Sequence, residues 1–244
     1  MRAEHLLDES AVRFTQRAAV VAENGRSYSY GEVALSVDRV AAALVRSGLH
    51  GGERVALLLG DSIEAVISTF AIFKAGAVAA PIGARSDPAD IGLLLRRAGA
   101  TALITDARRA SLARAAMAAT PSVRLVVLVG GDPATASHSC LVFETLTRGL
   151  GNGPAVEPLG QPSEAALLLS AIDGAGVPTA SAMTHAEYIE AAAAPGIEDD
   201  RRRTPLLLSV AGLCRLLAAV RDGATLVLGA SAFGIRPEPV ALAS

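Results

Sequence analysis

Tryptophan is missing from this chain, and five phenylalanines and three tyrosines are its only aromatic residues. A core built without them has to be aliphatic, and with 51% of the residues hydrophobic there is ample Ala, Val, Leu and Ile to build one. Lysine is nearly missing too: Lys74 is the single lysine, and every other basic residue is arginine. Charge of one sign is also lacking, since 22 basic and 24 acidic residues leave a formal net charge of −2. No basic face is available for nucleic acid, and the one charge cluster, "DDRRR" at residues 199–203, nearly cancels itself and reads as a solvated loop. The two cysteines, Cys140 and Cys214, have neither CxxC spacing nor a histidine cluster beside them, which excludes a zinc site on pattern. Long apolar runs are lacking as well. They are interrupted by Asp61, Glu64, Lys74 or Arg215 short of the roughly 20 residues that span a bilayer. The opening "MRAEHLLDESAVRF" has no signal-peptide core. The expectation is a cytoplasmic protein with reduced thiols that engages neither membrane nor nucleic acid.

What is present is a regular alternation. "SYGEVALSVDRVAAALVRSGL" puts Val33, Val37, Val40, Ala41 and Leu44 on one helical face, with Ser29 and Glu32 at capping-box spacing and Gly48 as the stop. "RVALLL" follows as a short apolar run, the pattern of a strand covered on both faces. The unit recurs. "DSIEAVISTFAIFKAG" is a helix with Asp61 and Glu64 at capping spacing, "AVAAPI" a strand, "DPADIGLLLRRAG" a helix with Asp87 as cap, "TALITD" a strand, "ARRASLARAAMAAT" a helix and "RLVVLVG" a strand. From about residue 130 to 162 Gly, Pro and Ser dominate, which reads as a linker interrupted by a "LVFETL" turn. The alternation then resumes: "AALLLS" strand, "THAEYIEAAAA" helix, "PLLLSV" strand, "GLCRLLAAVRDG" helix, "ATLVLG" strand. The fold class is α/β, layered parallel sheets flanked by helices, in which ligands bind beyond the carboxyl ends of the strands. Residues 1–155 are expected to form one α/β subdomain ending in the linker, and 156–244 a partial second one.

The order and spacing of "GRSYSYGEV" and "VDRVAAALVRSGLHGGERVALLLGDSIEAVISTFAIFKAGAVAAPI" resemble the opening of the adenylate-forming enzymes. That superfamily includes acyl- and aryl-CoA synthetases, fatty acyl-AMP ligases and the adenylation domains of nonribosomal peptide synthetases. The match is close from about residue 11 to 106 and weaker through "EAALLLSAIDGAGVPTASAMTH" and "PLLLSVAGL". Such enzymes join a carboxylate to ATP and pass the acyl group to a thiol, so the resemblance implies ATP with magnesium, an acyl substrate and, for some members, an acyl carrier protein.

The family's signature loop reads roughly Tyr-Thr-Ser-Gly-Thr-Thr-Gly-Lys-Pro-Lys-Gly and closes on Thr-His. In "SAIDGAGVPTASAMTH", residues 170–185, Gly176, Pro178, Thr184 and His185 match it. Asp173 stands for the first glycine, Gly174 and Ala175 for Thr-Thr, and Val177 and Thr179 for the two lysines. The nucleotide-binding remnant would be Gly174, Gly176, Thr179 and Thr184. A loop of this kind holds triphosphate with backbone N–H groups, hydroxyls and a cation, each charge-assisted bond contributing roughly 1.5–3 kcal/mol. Losing one preorganised donor at developing charge costs about 10²–10³ in rate. Asp173 adds a carboxylate where phosphate oxygens would approach.

Later, "LLLSV" aligns with a family motif that carries a histidine where Ser209 stands, which places Ser209 and Gly212 at the implied acyl pocket. The sequence also stops ahead of the family's second ATP motif, its ribose-binding aspartate and its C-terminal lysine. The expectation is a truncated, degenerate relative without a cofactor of its own, binding an acyl ligand, a carrier or an intact ligase and associating with itself through uncovered apolar surface. An active or split ligase is the alternative, as is an ATP-independent enzyme using Asp173 or His185 as acid or base. Against these stand plainer readings. His185 after a capping Thr184 is a satisfied core imidazole, Asp173 a turn residue, Lys74 a helix-terminal charge, Tyr28 and Tyr30 a packing staple, and Cys140 beside His138 a linker thiol.

Overall fold

The computed structural model describes residues 1–83, 88–118, 120–148, 161, 164–172, 177–194, 206–229 and 234–236. In chain order the elements are α1 (Ala3–Arg13), β1 (Ala18–Val21), β2 (Ser27–Ser29), α2 (Tyr30–Arg46), β3 (Arg54–Leu58), α3 (Ile63–Lys74), β4 (Val78–Pro81), α4 (Pro88–Ala98) and β5 (Ala100–Asp106). There follow α5 (Ala110–Ala118), β6 (Leu125–Val129), β7 (Cys140–Val142), α6 (Phe143–Arg148), β8 (Ala165–Ile172), β9 (Pro178–Thr184), α7 (His185–Ala193), α8 (Val210–Asp222), β10 (Thr225–Val227) and β11 (Gly234–Arg236).

The seven-stranded sheet runs β7-β6-β5-β3-β4-β8-β9 and is parallel except for β9, which turns back antiparallel along β8. A four-stranded sheet, β11-β10-β1-β2, pairs β1 in parallel with β10. Strands from either side of residue 155 therefore share both sheets. The expected α/β class with parallel strands between helices is what the structure has. Alternate β3 residues divide the core: Val55 and Leu57 face a layer with α2 and α3, and Ala56 and Leu58 face a layer with α4.

Local chemistry explains the helix starts. Ser29 and Glu32 form the anticipated reciprocal box, Glu32 N–H donating to Ser29 Oγ at 3.2 Å and Ser29 N–H donating to Glu32 Oε2 at 2.7 Å. At α3 the cap is Ser62, whose Oγ accepts from Ala65 N–H, rather than Asp61. Asp87, read as the cap of α4, lies outside the described residues. Gly223 ends α8 in the left-handed conformation, φ +64°, with a Cβ there 2.4 Å from the Phe14 ring, so only glycine fits.

The scarce aromatics sit where distant segments meet. Tyr30, fully buried, donates from its hydroxyl to Ala219 O and Ala224 O at 3.0 and 2.7 Å. Tyr188 donates to Leu213 O at 2.6 Å. Phe73 makes edge contacts with Phe70, His185 and Tyr188 at 5.3–6.1 Å between ring centres.

Two further expectations need correction. The stretch read as a linker from residue 130 contains β7, which extends the sheet beside β6, and α6, tied to α2 by Arg39 Nη1 donating to Thr147 O at 2.7 Å. "PLLLSV", read as a strand, is a turn over residues 206–209. Ser209 caps α8 there, and an N-cap serine overrides the β signal of three leucines. The residues between the glycine-rich loop and the helix, which the sequence reading left unassigned, form β9, a hairpin partner of β8, and the helix begins at His185, as "THAEYIEAAAA" implies.

Candidate functional site

β3 sends its connection into α3 on one face of the sheet, whereas its neighbours β4 and β5 send theirs into α4 and α5 on the other. Such a reversal opens a crevice at the carboxyl ends of the strands, where ligands bind in open α/β sheets. Two further segments reach that rim. The β8–β9 hairpin turns beyond Ile172, whose partner across the ladder is Pro178, and residues 206–209 pack against the end of β3.

On the hairpin, Asp173, Gly174 and Gly176 lie outside the described residues. Thr179 is described and exposed, and its hydroxyl donates across the ladder to Ala171 O at 3.3 Å. Val177, at one of the family's lysine positions, is half-exposed. Thr184 is a helix cap. Its Oγ1 accepts from Glu187 N–H at 3.2 Å and donates to Glu187 Oε2 at 2.9 Å, while Thr184 N–H donates to the same oxygen at 2.7 Å. These bonds hold the Glu187 carboxyl below its ordinary range.

His185 faces inward, 0% exposed, against the Phe73 ring. Its Nδ1 accepts from Ala3 N–H at 3.2 Å, which assigns the proton to Nε2, and Nε2 has no hydrogen-bond partner among the described residues. Burial, then the charges of Arg2, His5 and the N-terminal amine, push its pKa down to about 3, so the imidazole is neutral. Beside it, Arg2 is 2% exposed and donates to Glu4 Oε1 at 2.5 Å, Glu164 Oε2 at 3.2 Å and Phe73 O at 3.0 Å. Glu4 Oε2 lies 3.6 Å from His185 Nδ1. Thr184 and His185, adjacent in sequence, thus serve different neighbourhoods, a surface cap and the seat of α1.

Ser209 Oγ accepts from Gly212 N–H at 3.1 Å and donates to Leu206 O at 2.6 Å. A Cβ at Gly212 would stand 2.1 Å from Leu206 O, so the turn and the helix approach as only glycine permits. Asp61 completes this corner by accepting from Leu207 N–H at 2.8 Å, and burial raises its pKa against the lowering effect of that bond. Sequence spacing assigned Asp61 to a cap. The available signal otherwise was Ser62 next to it, an equally good capping residue one position closer to the helix, which leaves Asp61 without that task.

A cavity of about 380 Å³ opens beside Asp61, lined in part by Glu23, Asn24, Tyr28, Ser62 and Glu64. Arg26 stacks on the Tyr28 ring at 4.7 Å, one cation against three carboxylates. Among the described residues no cluster of His, Cys, Asp and Glu has an arrangement able to hold a metal ion. Lys74 is elsewhere, at the end of α3, bonded to Asp8 Oδ1 at 2.7 Å and Asp38 Oδ1 at 2.6 Å. Burial lowers its pKa, but the two carboxylates outweigh that and raise it. The arrangement as a whole offers backbone, hydroxyl and carboxylate groups at the rim and keeps its ammonium away.

Among curated proteins, the chain is 44% identical over 92 residues to a naringenin synthase of Pestalotiopsis fici (strain W106-1 / CGMCC3.15140), covering 38% of this chain and 3% of that protein. It is 30% identical over 194 residues to the salicyl-AMP ligase / salicyl-S-ArCP synthetase of Mycobacterium tuberculosis, covering 75% of this chain and 33% of that one. Among solved structures, coronafacic acid ligase from Pectobacterium brasiliense superposes with a TM-score of 0.80 at 16% identity, over 95% of this chain and 46% of that chain. The chain thus spans a third or less of these curated relatives and about half of the solved ligase. The model of the AMP-binding enzyme family matches residues 7–232, and the chain belongs to that family, corresponding to the N-terminal part of its adenylate-forming members.

Proposed function

We propose that this polypeptide does not by itself adenylate a carboxylate, and that it acts as a binding module on the ligase scaffold. Its ligand would be an acyl group, an acyl carrier or an intact ligase of a natural-product pathway. The observation that carries this reading is the position of its cations. Triphosphate needs an ammonium and several hydroxyls at the hairpin. Residues 170–185 contain no cation, Thr179 is engaged with Ala171 O, and the single lysine is fixed between Asp8 and Asp38. The residues described do not fit ATP with magnesium. The reading also expects a cytoplasmic location and self-association.

The test is ATP–pyrophosphate exchange by the purified chain with a panel of aryl and aliphatic carboxylates. The expected result is exchange at background for every acid, and robust exchange with any of them overturns the proposal. A second reading, an active ligase completed by a further segment or chain, is favoured by one fact: the solved coronafacic acid ligase is about twice the length that this chain covers. Exchange that appears only when a complementary C-terminal ligase fragment is added would select that reading.

A further inference from the structure

Five of the nine residues of α5 are alanine, whereas α3 presents isoleucine, valine and phenylalanine to its side of the sheet. A helix with such short side chains cannot fill the space between its axis and the strands to the density of a packed interior. The structure bears this out with a cavity of about 480 Å³ between α5 and β6–β7, at the opposite edge of the sheet from the β8–β9 hairpin. Its wall is apolar: Ala113, Met117, Val123, Val126 and Leu128. Polar atoms come from Arg114, Arg124, Ser139, Cys140 and two threonines, Thr105 and Thr135. Arg124 is paired with Glu53 at 2.5 Å and also donates to Gly48 O. Arg114 is exposed and makes neither hydrogen bond nor ion pair among the described residues.

We propose that this cavity is a ligand site distinct from the carboxyl-terminal rim, and that it takes a small amphipathic monoanion with its apolar body against α5 and its carboxylate on Arg114. The volume falls within the range of small-molecule pockets, about 300–1,000 Å³, and the chemistry matches their usual make-up of an apolar lining with few orienting polar groups. Water finds few partners on such a wall, whereas an apolar chain restores the contacts that the alanines leave unmade. Arg114 supplies the unpaired charge that selects an anion over a neutral molecule of equal shape. This assignment is independent of whether the hairpin binds nucleotide.

Cys140 serves as the reporter, because it lines the cavity and the chain has only one other cysteine. That one, Cys214, is buried, and burial raises its pKa, so its thiolate is scarce. Iodoacetamide at pH 8 alkylates the Cys140 thiolate with loss of iodide, and the labelled peptide is quantified by mass spectrometry. Hexanoate at about 10 mM, enough to fill a site of millimolar Kd, is expected to slow labelling of Cys140 about fivefold while leaving labelling of free glutathione unchanged. Hexanamide, the same chain without the charge, is expected to protect far less, and Arg114→Glu to abolish the protection while leaving the melting temperature unchanged. Absence of slowing by hexanoate, equal protection by hexanamide, or full protection in Arg114→Glu overturns the proposal.

Discussion

Replacing His185 by asparagine puts a number on the seat of α1. The asparagine Oδ1 stands close to where Nδ1 accepts from Ala3 N–H, so the substitution removes the titration while keeping the acceptor. In the folded chain the His185 pKa is about 3, and in the unfolded chain it returns to about 6.5. A base whose folded pKa is depressed binds its proton more readily when unfolded, so its contribution to stability is complete above pH 6.5. It is lost as the pH falls, by about 1.4 kcal/mol per unit, until the folded pKa is reached. Between pH 7.5 and 4.5 the wild type should therefore lose about 2.5 kcal/mol more than His185→Asn, a large share of the roughly 5–15 kcal/mol available to a domain. The groups facing the imidazole are Arg2, His5 and the N-terminal amine, which oppose protonation, and Glu4, whose free Oε2 at 3.6 Å favours it. The assay is urea denaturation followed by far-UV circular dichroism, since no tryptophan is available, with both proteins at each pH. Carboxylates away from residue 185 contribute equally in both proteins and cancel. Equal pH slopes would refute the reasoning, and would mean that the ring turns to pair with Glu4 on protonation.

Lys74→Met removes the ammonium shared by Asp8 of α1 and Asp38 of α2; because those carboxylates keep some access to water, the loss should be about 1–3 kcal/mol, at the lower edge of a broken buried pair. A urea midpoint unchanged by the substitution would contradict the role of Lys74 in joining three helices. Gly212→Ala forces a methyl against Leu206 O and should destabilise by about 2 kcal/mol or more, read as a fall in melting temperature, whereas Ala211→Gly next to it should cost about 1 kcal/mol or less through helix propensity alone.

Periodic helices and short apolar strands were legible because their determinants are local: Ser29 with Glu32, the apolar face of α2, the run in β3. The resemblance reached the family on the same residues. What escaped depends on partners far along the chain. The sequence gives no reason to prefer Asp61 as acceptor for Leu207, 146 positions away, over a cap, nor to bury Arg2 and Glu4 beside His185. β7 is three residues long and gains its strand conformation from β6. The turn at residues 206–209 shows a polar cap outvoting an apolar run. At the candidate site, the replacement of the family's lysines could be read directly, whereas the engagement of Thr179 and Lys74 by Ala171, Asp8 and Asp38 required coordinates.

The parallel pairing of β1 with β10 has a consequence for how the molecule comes into being. Thr225 reaches Ala18 O across 207 positions, so the smaller sheet cannot close until β10 has left the ribosome. Until then the hairpin of β1 and β2 waits with a naked edge, and nascent chains stalled short of β10 should be the species that chaperones hold.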